Sequence, residues 1–230
     1  MSIMLKSSIR AFLTQRRKIL RHAVVATLAI GAIAHSAIAD QSVKILALGD
    51  SLTAGYGLTQ GQGFADQLQA AFTKMGRPVT VINGGVSGDT SAGGLARTDW
   101  ALGDKPEVVI LELGANDMLR GIEPETTKAN LAGIIEKAKA AGAKVLLCGM
   151  KAQRNLGGDY VARFDAIYPD LAKQENVALY PFFMDGIIHP DGSFERPLLQ
   201  ADGMHPTEAG AALIVHRMMP SLLPLLGSGG

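Results

Sequence analysis

The chain has 230 residues, 22 of them basic and 21 acidic, a length that suits one domain with a sizeable core. The first 39 residues hold six of the basic residues and no acidic ones, so residues 40–230 carry 16 basic against 21 acidic residues. This mildly acidic part lacks a basic stripe, which argues against a nucleic-acid partner, and the single cysteine, Cys148, excludes an intramolecular disulfide.

The N-terminal 39 residues are predicted to form a signal peptide. Basic residues come first, and an apolar stretch follows that is shorter than the roughly 20 residues of a membrane-spanning helix. The small residues of Ala37-Ile38-Ala39 suit cleavage before Asp40. The pair Arg16-Arg17 also resembles a twin-arginine signal, so both export routes stay open, as does a retained membrane anchor. We expect cleavage and a bacterial protein that is periplasmic or secreted, with residues 40–230 as its functional domain.

Five short apolar runs predict buried strands, at residues 43–48, 79–83, 107–112, 144–148 and 177–180. Helical patterns lie between and after them, at residues 63–75, 125–141, 159–174 and 206–219, the last with Pro206 as its first helical residue. The strand runs are continuous rather than alternating, which is typical of strands covered by helices on both faces. The pattern predicts an α/β fold with three layers, α/β/α, around a mainly parallel five-stranded sheet.

The first strand run ends abruptly at Gly49-Asp50-Ser51. A residue in this position lies at the carboxyl edge of the predicted sheet, where open α/β sheets bind their ligands. Ser51 is therefore a candidate nucleophile. It is equally readable as a helix cap, because Asp and Ser are both good N-cap residues.

Two later loops follow strands at the same predicted edge. The glycine-rich loop around Gly88 lets backbone N–H groups approach a ligand closely. In the next loop, the side-chain amide of Asn116 is a candidate donor to an oxyanion. Ordinary turns explain both loops as well, since Gly, Asn and Asp are common turn residues.

Asp202 and His205 stand three residues apart, just before the last predicted helix. A carboxylate that orients an imidazole toward a nucleophile is the arrangement of a Ser-His-Asp triad. His189, in an Asp-containing turn with a different spacing, is a weaker candidate for the base. His216 lies inside the last predicted helix, where a packing or surface role is the better interpretation.

These four motifs occur in the order found in the SGNH (GDSL) hydrolase family, and the resemblance runs from Lys44 to about Leu225. The segments that carry it best are 45–56, 86–91, 94–97, 111–121 and 167–169. They look especially like the branch that contains bacterial multifunctional acyl-CoA thioesterase I (protease I, lysophospholipase L1) and related arylesterases. The resemblance implies a flavodoxin-like fold.

Residue by residue, the resemblance implies a role for each motif. Ser51 resembles the nucleophile, His205 the general base and Asp202 the residue that orients the base. The Ser51 and Gly88 backbone N–H groups and the Asn116 side chain resemble the oxyanion hole. The family chemistry needs no cofactor, and the sequence has no metal-binding motif.

The implied reaction is hydrolysis of carboxylic esters through an acyl-serine, with aryl esters, short to medium acyl esters, lysophospholipids or thioesters as small substrates. Met118, Leu119, Ile122 and Leu156 are candidates for an acyl groove, although core packing explains them as well. A carbohydrate O-acetylesterase of the same family and a non-catalytic binding module on the same fold are the alternatives. The oligomeric state stays open.

Overall fold

The computed structural model describes residues 42–227, so the predicted signal peptide lies outside the described residues. Within that range a single five-stranded sheet is fully parallel, with strand order β2-β1-β3-β4-β5. Its strands are β1 (Val43–Gly49), β2 (Val79–Gly85), β3 (Val108–Glu112), β4 (Lys144–Cys148) and β5 (Ala178–Tyr180). The predicted fold class is confirmed.

Seven α-helices cover the two faces of the sheet in the described range. They are α1 (Ser51–Ala54), α2 (Phe64–Lys74), α3 (Ser91–Ala101), α4 (Ala115–Leu119), α5 (Pro124–Ala140), α6 (Gly158–Glu175) and α7 (Glu208–Leu222). Helices α3, α5 and α6 pack beside one another as one outer layer, and α2 packs against α7 as the other. The segment Glu208–Leu226 is long and apolar enough to cross a membrane, but Ile214, Met218 and Leu222 are fully buried, as in a core helix.

The register of the sheet places three strand ends in one row. Gly49 at the end of β1 pairs with Gly85 of β2 on one side and with Glu112 of β3 on the other. The strand interiors are almost completely buried, since Ile45 and Ile110 have no exposed surface. Because three parallel strands stop at the same level, the loops that follow them share one edge of the sheet.

The predicted start of the last helix is wrong. Helix α7 begins at Glu208, and the Thr207 side chain caps it by accepting from the Gly210 N–H at 3.3 Å. Pro206 instead forms an isolated β-bridge with Leu199. The backbone before the Thr207 N-cap is extended. Pro206 is tolerated there, although it is not the first residue of the helix.

Sequence reasoning did not predict helices α1, α3 and α4. Helices α1 and α4 have four and five residues, too few to show a periodic pattern. Helix α3 contains Gly93 and Gly94, which weaken a helical pattern. A Cβ atom on Gly94 would lie only 2.2 Å from Leu113 Cδ1, so this glycine permits close packing of α3 on the chain after β3.

Candidate active site

Ser51 is the first residue of α1 and is separated from the end of β1 by Asp50 alone. The helix cap is Asp50, whose Oδ1 accepts from the Leu52 N–H at 3.0 Å, so capping does not occupy the Ser51 hydroxyl. Gly49 makes the tight turn possible, since a Cβ there would lie 2.0 Å from Thr53 Oγ1. The strand end thus presents a serine hydroxyl at the sheet edge.

Ser51, His205 and Asp202 form one hydrogen-bonded chain. The Ser51 Oγ lies 2.9 Å from His205 Nε2, and His205 Nδ1 lies 2.7 Å from Asp202 Oδ2. With Nδ1 protonated and donating to the carboxylate, Nε2 is left to accept the serine proton. The arrangement can therefore activate the serine hydroxyl as a nucleophile.

The carboxylate of Asp202 is held in its charged form. The Met204 N–H donates to it at 2.9 Å, and the His205 ring and backbone N–H add two more hydrogen bonds. These bonds, that of the Met204 N–H above all, lower the pKa of Asp202 to about 2. Asp202 therefore remains an ionised acceptor for the imidazole across the neutral pH range.

Gln200 ties the histidine loop to the loop after the nucleophile. Its Nε2 donates to the Tyr56 carbonyl at 2.7 Å and to the Pro206 carbonyl at 2.9 Å. The Tyr56 ring in turn packs against the His205 ring, with 4.6 Å between the ring centroids. Sequence reasoning missed both residues, because no local pattern reports a contact across 144 residues of chain.

The other two histidines of residues 42–227 lie apart from this chain of hydrogen bonds. His189 Nε2 lies 2.9 Å from Glu195 Oε1 in an exposed loop after β5. His216 is exposed on α7. Neither residue lines the cavity at Ser51.

Gly88 and Asn116 both reach the same cavity as Ser51. Gly88 has a φ of +80°, a left-handed conformation that side chains rarely adopt. The Asn116 Nδ2 donates to Asp50 Oδ2 at 3.0 Å, which fixes the amide plane and leaves its second N–H free of that bond. Both residues are thus held near the serine by the loops after β2 and β3.

The cavity at Ser51 has a volume of about 360 Å³ and draws residues from the loops after all five strands. Of the four residues predicted for an acyl groove, Met118 and Leu119 line it, whereas Ile122 and Leu156 do not. The apolar residues that sequence reasoning missed are Leu52, Tyr56, Met150, Phe182, Met184, Ile188 and Met204. Most come from the irregular chain after β4 and β5, where periodicity gives no signal. The four methionines supply an adaptable apolar lining.

Two buried carboxyl groups lie beneath the nucleophile. Asp50 and Glu112 have no exposed surface, and Glu112 Oε2 accepts from Thr53 Oγ1 at 2.7 Å and from the Asp50 N–H at 3.3 Å. Burial raises the pKa of Asp50 to about 6. Burial, with the neighbouring Asp50 charge, raises the pKa of Glu112 well above its usual range. Glu112 Oε1 has no hydrogen-bond partner in the described part of the chain.

These raised pKa values make stability fall as pH rises. The unfolded chain ionises near pH 3.8 for Asp50 and 4.5 for Glu112, while the folded protein keeps both protons to higher pH. The unfolded state is therefore favoured increasingly from about pH 4 upward, by at most about 1.4 kcal/mol per pH unit for each group.

Glu112→Gln keeps an oxygen acceptor for Thr53 and removes the ionisation. We expect the free energy of unfolding of the variant to rise relative to that of the wild type between pH 4 and pH 8, by at most about 1.4 kcal/mol per pH unit. Urea unfolding at pH 4, 6 and 8 measures the difference. A difference that stays constant over this range would show that Glu112 does not titrate between these states.

Within residues 42–227, no group of three or more His, Cys, Asp and Glu side chains is arranged to hold a metal ion. Cys148 is fully buried, and burial raises the pKa of its thiol well above the usual range. The chemistry-bearing groups at the sheet edge are thus the serine, the imidazole, the carboxylate and the amide donors.

Comparison with known proteins places this geometry in context. Residues 47–213 match the model of the GDSL-like Lipase/Acylhydrolase family. The chain is 43% identical over 183 residues to Esterase TesA of Pseudomonas aeruginosa, covering 79% of this chain and 89% of that protein. It is 38% identical over 183 residues to Thioesterase 1/protease 1/lysophospholipase L1 of Escherichia coli (strain K12), covering 79% of this chain and 84% of that protein. A crystal structure of TesA superposes with a TM-score of 0.72 at 42% identity, covering 79% of this chain and 99% of that one.

Proposed function

This chain belongs to the GDSL-like lipase/acylhydrolase family, the SGNH hydrolases, and on that premise we propose that Ser51 is the nucleophile of a serine esterase. The membership confirms the family predicted from the sequence. The observation that carries the proposal is the chain from Ser51 Oγ to His205 Nε2, at 2.9 Å, and from His205 Nδ1 to Asp202, at 2.7 Å.

The proposed reaction is acyl transfer to water in two steps. His205 Nε2 takes the proton as Ser51 Oγ attacks the ester carbonyl carbon, and the carbonyl oxygen becomes an oxyanion. The N–H groups of Ser51 and Gly88 and the Asn116 amide stabilise that charge. The imidazolium, stabilised by Asp202, protonates the leaving alcohol. Water then attacks the acyl-serine with His205 again as base, releasing the acid and the free serine.

The cavity favours acyl groups larger than acetyl. Its volume of about 360 Å³ and its methionine-rich lining suit short to medium acyl chains, aryl esters and lysophospholipids. Thioesters carry the same reactive carbonyl and fit the same mechanism. Trp100, 84% exposed on α3, does not line the cavity, so the one tryptophan of residues 42–227 offers no stacking surface for a sugar there.

We also propose that the enzyme works outside the cytoplasm. The N-terminal 39 residues have the charge and apolar pattern of a signal peptide, and residues 40–230 are the proposed catalytic domain. An exported enzyme does not meet cytosolic acyl-CoA. Lysophospholipids and small esters of the cell envelope are therefore the proposed substrates in the periplasm or beyond.

A fluorophosphonate probe followed by peptide mass spectrometry tests the nucleophile. We expect one covalent adduct, on Ser51, because only an activated serine displaces fluoride from the probe. A folded protein without an adduct at Ser51 would contradict the enzyme proposal and favour a non-catalytic binding module. A panel of p-nitrophenyl esters, lysophosphatidylcholine, acyl-CoA and acetylxylan then separates the substrate classes. Preference for acetylxylan would favour the carbohydrate O-acetylesterase.

Asn116→Ala is expected to lower kcat about a hundredfold with little change in KM, because its amide bonds the oxyanion only in the transition state. Steady-state kinetics on p-nitrophenyl butyrate measure the effect. Asn130→Ala is the matched control, since Asn130 Nδ2 donates to Ser91 Oγ on the neighbouring helix and does not line the cavity. An unchanged rate in folded Asn116→Ala would remove Asn116 from the oxyanion hole.

A further inference from the structure

We propose that Arg97 of α3 is the positioning residue of the oxyanion hole, holding Gly88 in place relative to Ser51. This inference rests on the proposed function, because it concerns the same reaction. Arg97 does not line the cavity and touches no reacting atom. It acts through the two strand ends and the loop that it binds.

One guanidinium group joins three separate pieces of chain. Its Nη2 donates to the Gly49 carbonyl at 2.9 Å, and its Nη1 donates to the Gly84 carbonyl at 2.7 Å. Its Nε donates to Asp89 Oδ2, also at 2.7 Å. Gly49 lies two residues before the nucleophile, and Asp89 directly follows Gly88. A single planar group thus sets the distance between the serine turn and the Gly88 loop.

The Gly88 loop needs this support because little packing holds it. A Cβ atom on Gly88 would meet only Arg120 Nη2, at 3.9 Å, among the described residues. Backbone hydrogen bonds from the Val86 N–H to Gly49 and from the Asp89 N–H to Val86 give the loop its path. Gly88 itself keeps a left-handed φ of +80° in an exposed position.

Arg97 is the better shielded of the two arginines that reach the loop. Its side chain is 19% exposed and its partner Asp89 is 14% exposed, whereas Arg120, which donates to the Gly88 carbonyl, is exposed. Charge-assisted bonds in a partly buried site are stronger than those at the surface. Lysine cannot replace the group, because an ammonium lacks the rigid fork that meets three acceptors at once.

Displacement of the Gly88 N–H weakens a bond made only to the transition state. Loss of Arg97 is therefore expected to appear in kcat and not in KM. It is also expected to weaken binding of a reversible tetrahedral adduct, which carries the same oxyanion. A residue with a merely structural role would lower the melting temperature without changing the affinity for such an adduct.

The test compares Arg97→Lys with wild type on p-nitrophenyl butyrate and on an alkyl trifluoromethyl ketone, which adds reversibly to serine. We expect kcat to fall roughly 10- to 100-fold, KM to stay within about threefold, and the Ki of the ketone to rise by the same factor as kcat/KM falls. Lys137→Met is the control. It removes the ion pair between Lys137 of α5 and Asp99 of α3, the helix that carries Arg97, and neither residue lines the cavity. It is expected to leave kcat and Ki unchanged.

Asp89→Asn is a second variant, which keeps an acceptor for Arg97 Nε and removes the negative charge. Because the remaining bond is weaker, we expect the Ki of the ketone to rise roughly three- to tenfold. If Arg97→Lys does not fold, Asp89→Asn decides the question alone. Unchanged Ki and kcat in the folded variants, or a loss confined to KM, would overturn the positioning role. Fluorophosphonate labelling of wild-type Ser51 separates the outcomes: a labelled wild type with unaffected variants refutes Arg97 only, and an unlabelled wild type refutes the proposed function.

Discussion

Ser51→Ala is expected to lower kcat on p-nitrophenyl butyrate by at least roughly a thousandfold while the protein stays folded. The substitution removes the atom that forms the acyl intermediate, and no neighbouring hydroxyl replaces it in the contact with His205 Nε2. The residual rate would come from the oxyanion donors acting on bound water. Steady-state kinetics, with circular dichroism and thermal unfolding on the same samples, measure both properties.

The fold is expected to survive because Asp50 caps α1 through its own carboxyl group. Deletion of the Ser51 hydroxyl leaves that cap intact. Ser42→Ala is the matched control, since Ser42 Oγ bonds Thr80 Oγ1 directly before the start of β1 and Ser42 does not line the cavity. We expect its kcat to stay close to wild type. Near-normal turnover by folded Ser51→Ala would rule out Ser51 as the nucleophile.

The layout of the sheet could be predicted because strands that are buried on both faces have continuous apolar sequences. Runs such as residues 108–111 are continuous and apolar, and continuous runs separated by helical patterns imply parallel strands. Parallel strands place their carboxyl ends on one edge. The strand prediction therefore places the residues that follow β1, β2 and β3 at one edge, where the candidate site lies.

The local sequence at Ser51 left the choice between cap and nucleophile open, and the later motifs and the family resemblance favoured the nucleophile. Asp50 and Ser51 are equally suited to cap a helix, and only the hydrogen bond from the Leu52 N–H to Asp50 separates them. The same limit explains the error at Pro206. A proline followed by Thr207 fits either a first helical residue or the residue before a threonine cap.

The supporting groups of the site were missed for a different reason. Arg97 binds a carbonyl 48 residues earlier in the chain, and Glu112 binds a hydroxyl 59 residues earlier. Neither contact leaves a local pattern, although both residues lie in segments that carry the family resemblance. Motifs located the reacting groups, which lie in short segments at the sheet edge, whereas the groups that hold those segments in place come from distant elements and require the tertiary structure.

The carboxyl groups near Ser51 differ in their charge state and therefore in what they contribute to the site. Asp202 is kept ionised by the hydrogen bonds that it accepts from Met204 and His205, which lower its pKa to about 2, and so it supports a positive imidazole. Asp50 and Glu112 are both buried, and the raised pKa of Glu112 limits the negative charge directly under the nucleophile. A low negative charge there favours an oxyanion nearby, because like charges repel strongly in a poorly solvated site.

His205→Ala is expected to lower kcat by at least roughly a thousandfold, because Nε2 is the group that takes the Ser51 proton. His189→Ala is the matched comparison, since its ring contacts Glu195 in an exposed loop. We expect that variant to keep a kcat close to wild type. Parallel kinetics on p-nitrophenyl butyrate, with melting temperatures for both proteins, measure the contrast. Loss of activity in folded His189→Ala together with normal turnover in His205→Ala would move the general base to His189. Equal and large losses in both, with unchanged melting temperatures, would mean that the loop after β5 takes part in catalysis.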